Sequence, residues 1–192
     1  MPTLELSTRH RDEKKIRDYL KQLEKHGTNM REVFVDIGEY LQLQVDERFT
    51  LQRDPDGNPW AQLADASLFQ RIGGNKALNK RGGLRAQAIR KLDRLKILTV
   101  SHRLRGSIIY RASETSLEQG TNVVYANIHQ HGGKTRPHLI RAKKKKALFW
   151  AGASHPVAVV NHPGSNIPAR PFLGLGEVDR QWILNRLNRY LR

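Results

Sequence analysis

The segment Ile167-Pro168-Ala169-Arg170-Pro171-Phe172-Leu173-Gly174 stands directly before a helical pattern that runs to the last residues of the sequence. Its two prolines fix φ and remove two backbone donors, so the backbone there is stiff and extended. A rigid stretch with one cation and apolar anchors is typical of a fixed joint between neighbouring elements or subunits. We predict that Phe172 and Leu173 are buried. We expect Arg170 to pair with a carboxylate or a carbonyl, either within the subunit or across an interface.

Apolar residues also recur at helical spacing elsewhere in the chain. This spacing predicts a helical hairpin over residues 10–50, because the stripe is interrupted at Gly27 and starts again after Asn29. A third stripe, on a basic helix, begins at Leu84. A closing helix is expected after Gly176.

Short β-type runs lie between these helical patterns. We predict strands over residues 107–112, 121–125, 147–150 and 157–160, and a helical turn over residues 125–130. The predicted class is therefore α+β, in a single domain over residues 1–192. The N-terminal helical hairpin and basic helix would be followed by a small, mostly antiparallel sheet with the C-terminal helix on it.

Positive charge is concentrated in the middle of the chain. The formal net charge is +16, but residues 1–70 carry −3, residues 71–176 carry +17 and residues 177–192 carry +2. No acidic residue lies between Glu118 and Glu177. This asymmetry indicates a polyanion or an acidic protein surface as partner.

Two basic loops are predicted within this region, over residues 71–83 and 134–146. Their cations could neutralise DNA phosphates without reading sequence, or could meet an acidic neighbouring protein, or could form a solvated face. No aromatic residues interleave the charges, so base stacking is not the expected mode. The candidate residues facing DNA or a partner are Lys80, Arg81, Arg85, Arg90, Lys143, Lys144, Lys145 and Lys146.

Several kinds of chemistry find little support in the sequence. The chain has no cysteine, which excludes disulfides, zinc–thiolate sites and thiol nucleophiles. His129 and His131 could place two imidazoles near a metal, but no carboxylate lies close by in sequence, and the surrounding cations would repel a divalent ion. No nucleophile elbow or phosphate-binding loop is present. We expect no catalytic residues, no cofactor and no metal, with a metal hydrolase kept as an alternative hypothesis. No apolar stretch suggests a signal peptide or membrane helix, so we expect no membrane association.

Four motifs in a fixed order resemble the phage virion morphogenesis, or tail completion, family in the version found in Mu-like phages and prophages. The resemblance covers residues 10–190 of the sequence. The motifs are Asp54-Pro55-Asp56-Gly57-x-Pro59-Trp60-x-x-Leu63, Ile97-Leu98 with Leu104-x-x-Ser107-Ile108, Tyr125-Ala126-x-Ile128-His129-Gln130-x-Gly132-Gly133, and the opening segment itself.

The resemblance implies a structural virion protein of a tailed phage, assembled in the host cytoplasm and located at the head–tail junction. Family members complete the tail and join it to the head, without catalytic residues or cofactors. Related neck and tail terminator proteins form rings, commonly hexameric, around the DNA channel. The implied partners are therefore further copies in a homo-oligomeric ring, a head connector or stopper protein, the tail tube protein and double-stranded DNA.

The predicted subunit interface or structural motif comprises Tyr125, His129, Gln130, Pro168, Arg170, Pro171, Phe172 and Leu173. Two departures from the family pattern stand out. The stretch between Leu63 and Ile97 is longer and more basic, and Gly176 replaces the usual serine-like helix cap. The alternative function is that of a sequence-independent nucleic-acid-binding protein.

Overall fold

A computed structural model describes residues 30–142, 147, 148 and 155–190, together with the helical residues 17, 18 and 21. The first half of the predicted hairpin over residues 10–50 otherwise lies outside the described residues. In the described part, a 3₁₀ turn spans Gly74–Ala77. The α-helices are α1 Arg31–Leu51, α2 Asp65–Ile72, α3 Ala86–Asp93, α4 Arg103–Gly106, α5 Ala126–His131 and α6 Glu177–Tyr190.

Helix α1 is the central element because its apolar stripe contributes residues to two clusters of the core. Its C-terminal half contributes Val45 and Phe49 to one cluster, with Trp60, Phe172 and other apolar residues. Its N-terminal half packs against α6 in the second cluster. The helix ends at Gln52, which adopts the left-handed conformation at φ 56° and returns its N–H to the Arg48 carbonyl.

The strands form three two-stranded antiparallel sheets among the described residues. Strand β1 (Ile109–Ala112) pairs with β2 (Leu117–Gly120), β3 (Gly133–Lys134) with β6 (Asn166–Ile167), and β4 (His138–Arg141) with β5 (Val159–His162). The predicted α+β class is confirmed, and so are the helices over residues 125–130 and after Gly176. The small sheet is divided among three pairs.

Several strands differ from the predicted ones in position. The predicted strand over residues 121–125 is wrong, because the tight turn at Ser113–Ser116 brings residues 117–120 opposite β1. The Ala126 N–H bonds instead to the Val123 carbonyl, as the chain turns into α5. In the strand predicted over residues 147–150, Leu148 forms an isolated bridge with Val157, and residues 149 and 150 lie outside the described residues. The strand predicted over residues 157–160 is shifted, because β5 spans Val159–His162.

The two predicted basic loops also contain regular structure. Residues 71–83 include the end of α2 and the 3₁₀ turn. Residues 134–146 include β4, because cross-strand pairing with β5 outweighs the local excess of charge. No helix in the described part of the chain is long and apolar enough to span a membrane.

Candidate functional site

Residues 168–174, which we call the clamp, pass through the larger apolar cluster. Phe172 and Leu173 are 0% and 2% exposed, which confirms the predicted burial. The Phe172 ring lies 5.5 Å from the Phe49 ring, centroid to centroid, and Phe49 meets Trp60 edge-on at 5.4 Å. The Trp60 indole N–H donates to the Pro171 carbonyl at 2.8 Å. The clamp is therefore fixed both by packing and by a hydrogen bond.

Arg170 bonds to carbonyls of its own subunit. Its Nε donates to the Ala61 carbonyl at 2.7 Å and its Nη2 to the Gln62 carbonyl at 2.9 Å. Its backbone N–H donates to the His129 carbonyl at 2.7 Å. Burial, and secondarily the nearby Arg71 guanidinium, lower the pKa of Arg170. Of the partners predicted for Arg170, the structure contains the intrasubunit carbonyls.

Gln130 joins α5 to the clamp through all of its polar atoms. Its Oε1 accepts the backbone N–H groups of Phe172 and Leu173, both at 3.0 Å, and its Nε2 donates to the Leu173 carbonyl at 2.7 Å. The adjacent Gly132 has φ 72°, and a Cβ there would lie 2.8 Å from the Ala169 nitrogen. Glycine is thus required where the chain leaves α5 beside the clamp.

A buried ion pair holds the other end of the clamp. Arg48 Nη1 donates to the carbonyls of Phe172 and Gly174 at 3.1 and 3.0 Å, and Nη2 lies 2.5 Å from Asp179 Oδ2. Asp179 also accepts the Tyr40 hydroxyl at 3.1 Å. Burial lowers the pKa of Arg48, while the Asp179 carboxylate opposes that shift. Burial, reinforced by Asp179, raises the pKa of Tyr40 to about 12.

Sequence reasoning missed this ion pair, although one signal was available. Arg48 falls on the buried stripe of α1 between Val45 and Phe49, where an unpaired cation would be costly. A buried arginine at such a position requires an acidic or carbonyl partner. Nothing in the local sequence identifies Asp179, which lies 131 residues away.

The unusual Gly176 has a structural reason. It precedes α6, and its N–H donates to the Asp179 carboxylate at 2.8 Å, so a side chain in the first turn caps the helix. A Cβ at Gly176 would collide with the Pro55 carbonyl oxygen. Pro55 belongs to a tight turn, in which Asp54 Oδ1 accepts the backbone N–H groups of Asp56 and Asn58 at 2.9 and 2.8 Å. The first and last sequence motifs therefore meet in space.

The remaining predicted residues of this site surround α5. Tyr125 is 40% exposed, and its ring meets the His129 ring edge-on at 5.9 Å. The His129 Nδ1 atom is buried and has no hydrogen-bond partner in the structure. Burial lowers the pKa of His129, and the Arg170 and Arg71 guanidinium groups lower it further. Among the described residues, no group of three or more His, Cys, Asp or Glu side chains is arranged to hold a metal.

The β3–β6 and β4–β5 pairs follow one another along the same two stretches of chain and share one antiparallel register. Gly133 faces Ile167 and Arg141 faces Val159, so the two strand pairs keep one register. Thr135 and Ala142 continue the ladder with backbone bonds to Ser165 and Ala158 at 2.9 and 3.2 Å. We call residues 133–142 and 158–167 the arm. Ten residues per strand give it a length of about 30 Å.

The arm is basic. Lys134, Arg136 and Arg141 lie on it, and it contains no acidic residue. The predicted DNA- or partner-facing residues Lys143, Lys144, Lys145 and Lys146 follow it directly, but they lie outside the described residues.

The other predicted cations lie on residues 65–96, which we call the satellite. It has its own small apolar cluster of Ile72, Ala77 and Ala88, with Leu95 packed against it. Asn79 Oδ1 accepts the backbone N–H groups of Arg81 and Gly83, which makes a tight turn. The long stretch after Leu63 is therefore a small helical subregion with its own apolar cluster. Its exposed predicted cations are Lys80 and Arg81 in the turn, Arg85 just before α3 and Arg90 within α3.

These features define a small α+β protein that uses buried polar groups to hold its own backbone and presents cations on its surface. The chain matches the phage virion morphogenesis family over residues 11–192, and it belongs to that family. No curated protein and no solved structure matches the chain significantly. The protein is a phage morphogenesis protein, as the sequence motifs indicated.

Proposed function

We propose that this protein is a structural component of the phage neck, which completes the end of the tail and joins it to the head as a homo-oligomeric ring. The observation that carries the proposal is the family match over nearly the whole chain. The charge distribution supports it, because a net +17 over residues 71–176 suits a surface that meets DNA or acidic neighbouring proteins.

A neck ring must hold its shape while DNA passes through it. The clamp meets this requirement, because Gln130, Arg48 and Arg170 together satisfy backbone groups on both sides of Phe172. A buried hydrogen-bonded network of this kind makes local deformation costly. The clamp residues predicted as an interface or a structural motif thus act within the subunit in this proposal, and the assembly contacts lie elsewhere.

The cations of the satellite suit the lumen of such a ring. Lys80, Arg81, Arg85 and Arg90 are exposed, and they can meet phosphates without base contacts. DNA that slides through a neck requires contacts of this kind, because they carry no sequence preference. The head connector or stopper and the tail tube protein would bind the two faces of the ring.

Light scattering of the purified protein tests the proposal, at low and high salt, with and without double-stranded DNA. A discrete multiple of the 22.0 kDa subunit mass, formed without DNA, would support the ring and give its symmetry. A protein that stays monomeric in every condition, and also with tail tube or connector protein present, would contradict it.

The exposed satellite turn also favours a second candidate, a sequence-independent nucleic-acid-binding protein that acts as a monomer. This candidate predicts submicromolar binding to any DNA sequence. Replacing Lys80, Arg81, Arg85 and Arg90 with alanine should then weaken binding and lower its salt slope, by about 1 for each lost phosphate contact. Arg189→Ala, an exposed cation on α6, is the matched control. Intact phage assembly by the quadruple variant would favour this candidate over the lumen role.

A further inference from the structure

The arm exposes apolar side chains on both of its faces. Leu139 and Val159 share one face and are 56% and 41% exposed, while Ile140, on the other face, is 38% exposed. A two-stranded sheet without a covering layer is marginally stable in water. Neither β4 nor β5 packs extensively against another helix or strand of the described chain. The arm therefore has the composition of a segment that is covered by something outside the subunit.

Helix α1 carries a surface of complementary character. Glu32, Glu39 and Leu43 are exposed on one stripe of the helix, and Leu43 is 67% exposed. The stripe extends over about 17 Å, which the arm can span. Farther along the same face, Glu47 pairs with Arg53 of its own subunit at 2.8 Å. The exposed Leu43, which lies between carboxylates on α1, is therefore complementary to the exposed Leu139 and Val159, which lie beside Arg141 on the arm.

We propose that the arm of one subunit docks on the acidic stripe of α1 in a second copy of this chain. The inference rests on the proposed ring and names the contact that builds it. Two different surfaces on each subunit give a heterologous, head-to-tail interface, which is the kind that closes into a ring. DNA is the less suitable occupant of the arm, because phosphates would leave Leu139 and Val159 exposed to water.

Cysteine crosslinking tests the contact directly, because the natural chain has no cysteine. The test protein carries Leu43→Cys and Leu139→Cys together and is oxidised under the conditions that give the assembled mass. A disulfide requires the two Cβ atoms to approach within about 4.5 Å. We expect a ladder of covalent multimers on a denaturing gel. The control pairs Leu139→Cys with Val178→Cys, since Val178 is 77% exposed on α6.

The outcomes separate this inference from the proposed function. A ladder for the test pair alone supports the docking. A ring mass without a ladder, or equal ladders for both pairs, overturns the docking and leaves the ring. A monomer that forms neither ring nor ladder in any condition overturns both proposals.

Charge reversal provides a second test that needs no disulfide. Glu39→Arg should weaken assembly at least tenfold at low salt, and adding Arg141→Glu to the same chain should restore most of it. Circular dichroism would verify that the variants are folded. Unchanged assembly by folded Glu39→Arg would overturn the docking, and so would DNA binding that protects the arm while assembly is unaffected.

Discussion

Arg170 in the clamp and Arg141 in the arm are separated by fewer than thirty residues, yet one is buried and the other is exposed. Arg170 is 4% exposed and donates to two carbonyls of its own chain, whereas Arg141 is exposed on a strand that carries uncovered apolar residues. The clamp satisfies its polar groups within the subunit, whereas the arm leaves Arg141 and its apolar neighbours exposed. The role of a cation in this chain therefore depends on the carbonyls and carboxylates around it, and not on its charge alone.

The largest expected effect lies at the buried end of the clamp. Arg48→Ala leaves Asp179 buried without its partner and removes two bonds to clamp carbonyls. We expect a loss of about 3–5 kcal/mol in the free energy of unfolding, measured by urea denaturation. The matched control is Arg53→Ala, whose exposed pair with Glu47 is worth about 0–1 kcal/mol. Equal losses from the two variants would contradict the distinction between clamp and surface.

A smaller effect is expected from a single clamp hydrogen bond. Trp60→Phe keeps an aromatic ring beside Phe49 but leaves the Pro171 carbonyl without its donor. The expected loss is about 1–3 kcal/mol, measured in the same denaturation experiment. Tyr125→Phe, on the exposed ring beside α5, should change stability far less. If the two variants lose the same stability, the Trp60 bond does not fix the clamp.

The next effect depends on pH. Because the folded pKa of His129 lies below its ordinary value of 6.5, the unfolded chain binds the proton more readily. The stabilisation associated with neutral His129 is therefore complete above about pH 6.5, and it is lost as the pH falls towards the folded pKa. We expect His129→Phe to reduce the drop in stability between pH 7.5 and pH 5.5. An identical drop in the variant would show that His129 does not titrate with folding.

The smallest effect on stability is expected in the arm. Leu139→Ser changes an exposed side chain, so the free energy of unfolding of the monomer should move by no more than about 0.5 kcal/mol. Under the docking proposal, the same substitution should weaken assembly, measured by light scattering. A large loss of monomer stability would mean that the arm is part of the subunit's own core, and the contrast with the clamp would fail.

The clamp could be predicted from the sequence, since its prolines and its aromatic anchor are local signals. Burial of Phe172 and the helices over residues 125–130 and after Gly176 were found as expected. For Arg170 the sequence left carboxylate and carbonyl partners open, and the structure contains carbonyls of the same subunit. The ion pair between Arg48 and Asp179 could not be assigned, because only the tertiary fold brings together residues so distant in sequence.

The arm was harder to predict because its order comes from pairing between distant strands. Residues 134–146 have the local composition of a basic loop, and β4 exists within them only because β5 continues the register of β3 and β6. The satellite was predicted in part. The helical stripe that begins at Leu84 corresponds to α3, but the glycines and cations of residues 71–83 predict a loop where the structure has the end of α2 and a 3₁₀ turn. The small core of the satellite depends on Ile72 packing near Ala88.

Hydrogen exchange of backbone amides, compared between the monomer and the assembled protein, tests the division between clamp and arm most directly. We expect the amides of Arg170, Phe172 and Leu173 to exchange only through global unfolding in both states, since each donates a hydrogen bond within its own subunit. Arm amides should exchange quickly in the monomer and become protected on assembly. Clamp amides that gain protection only on assembly, or arm amides already protected in the monomer, would contradict this division.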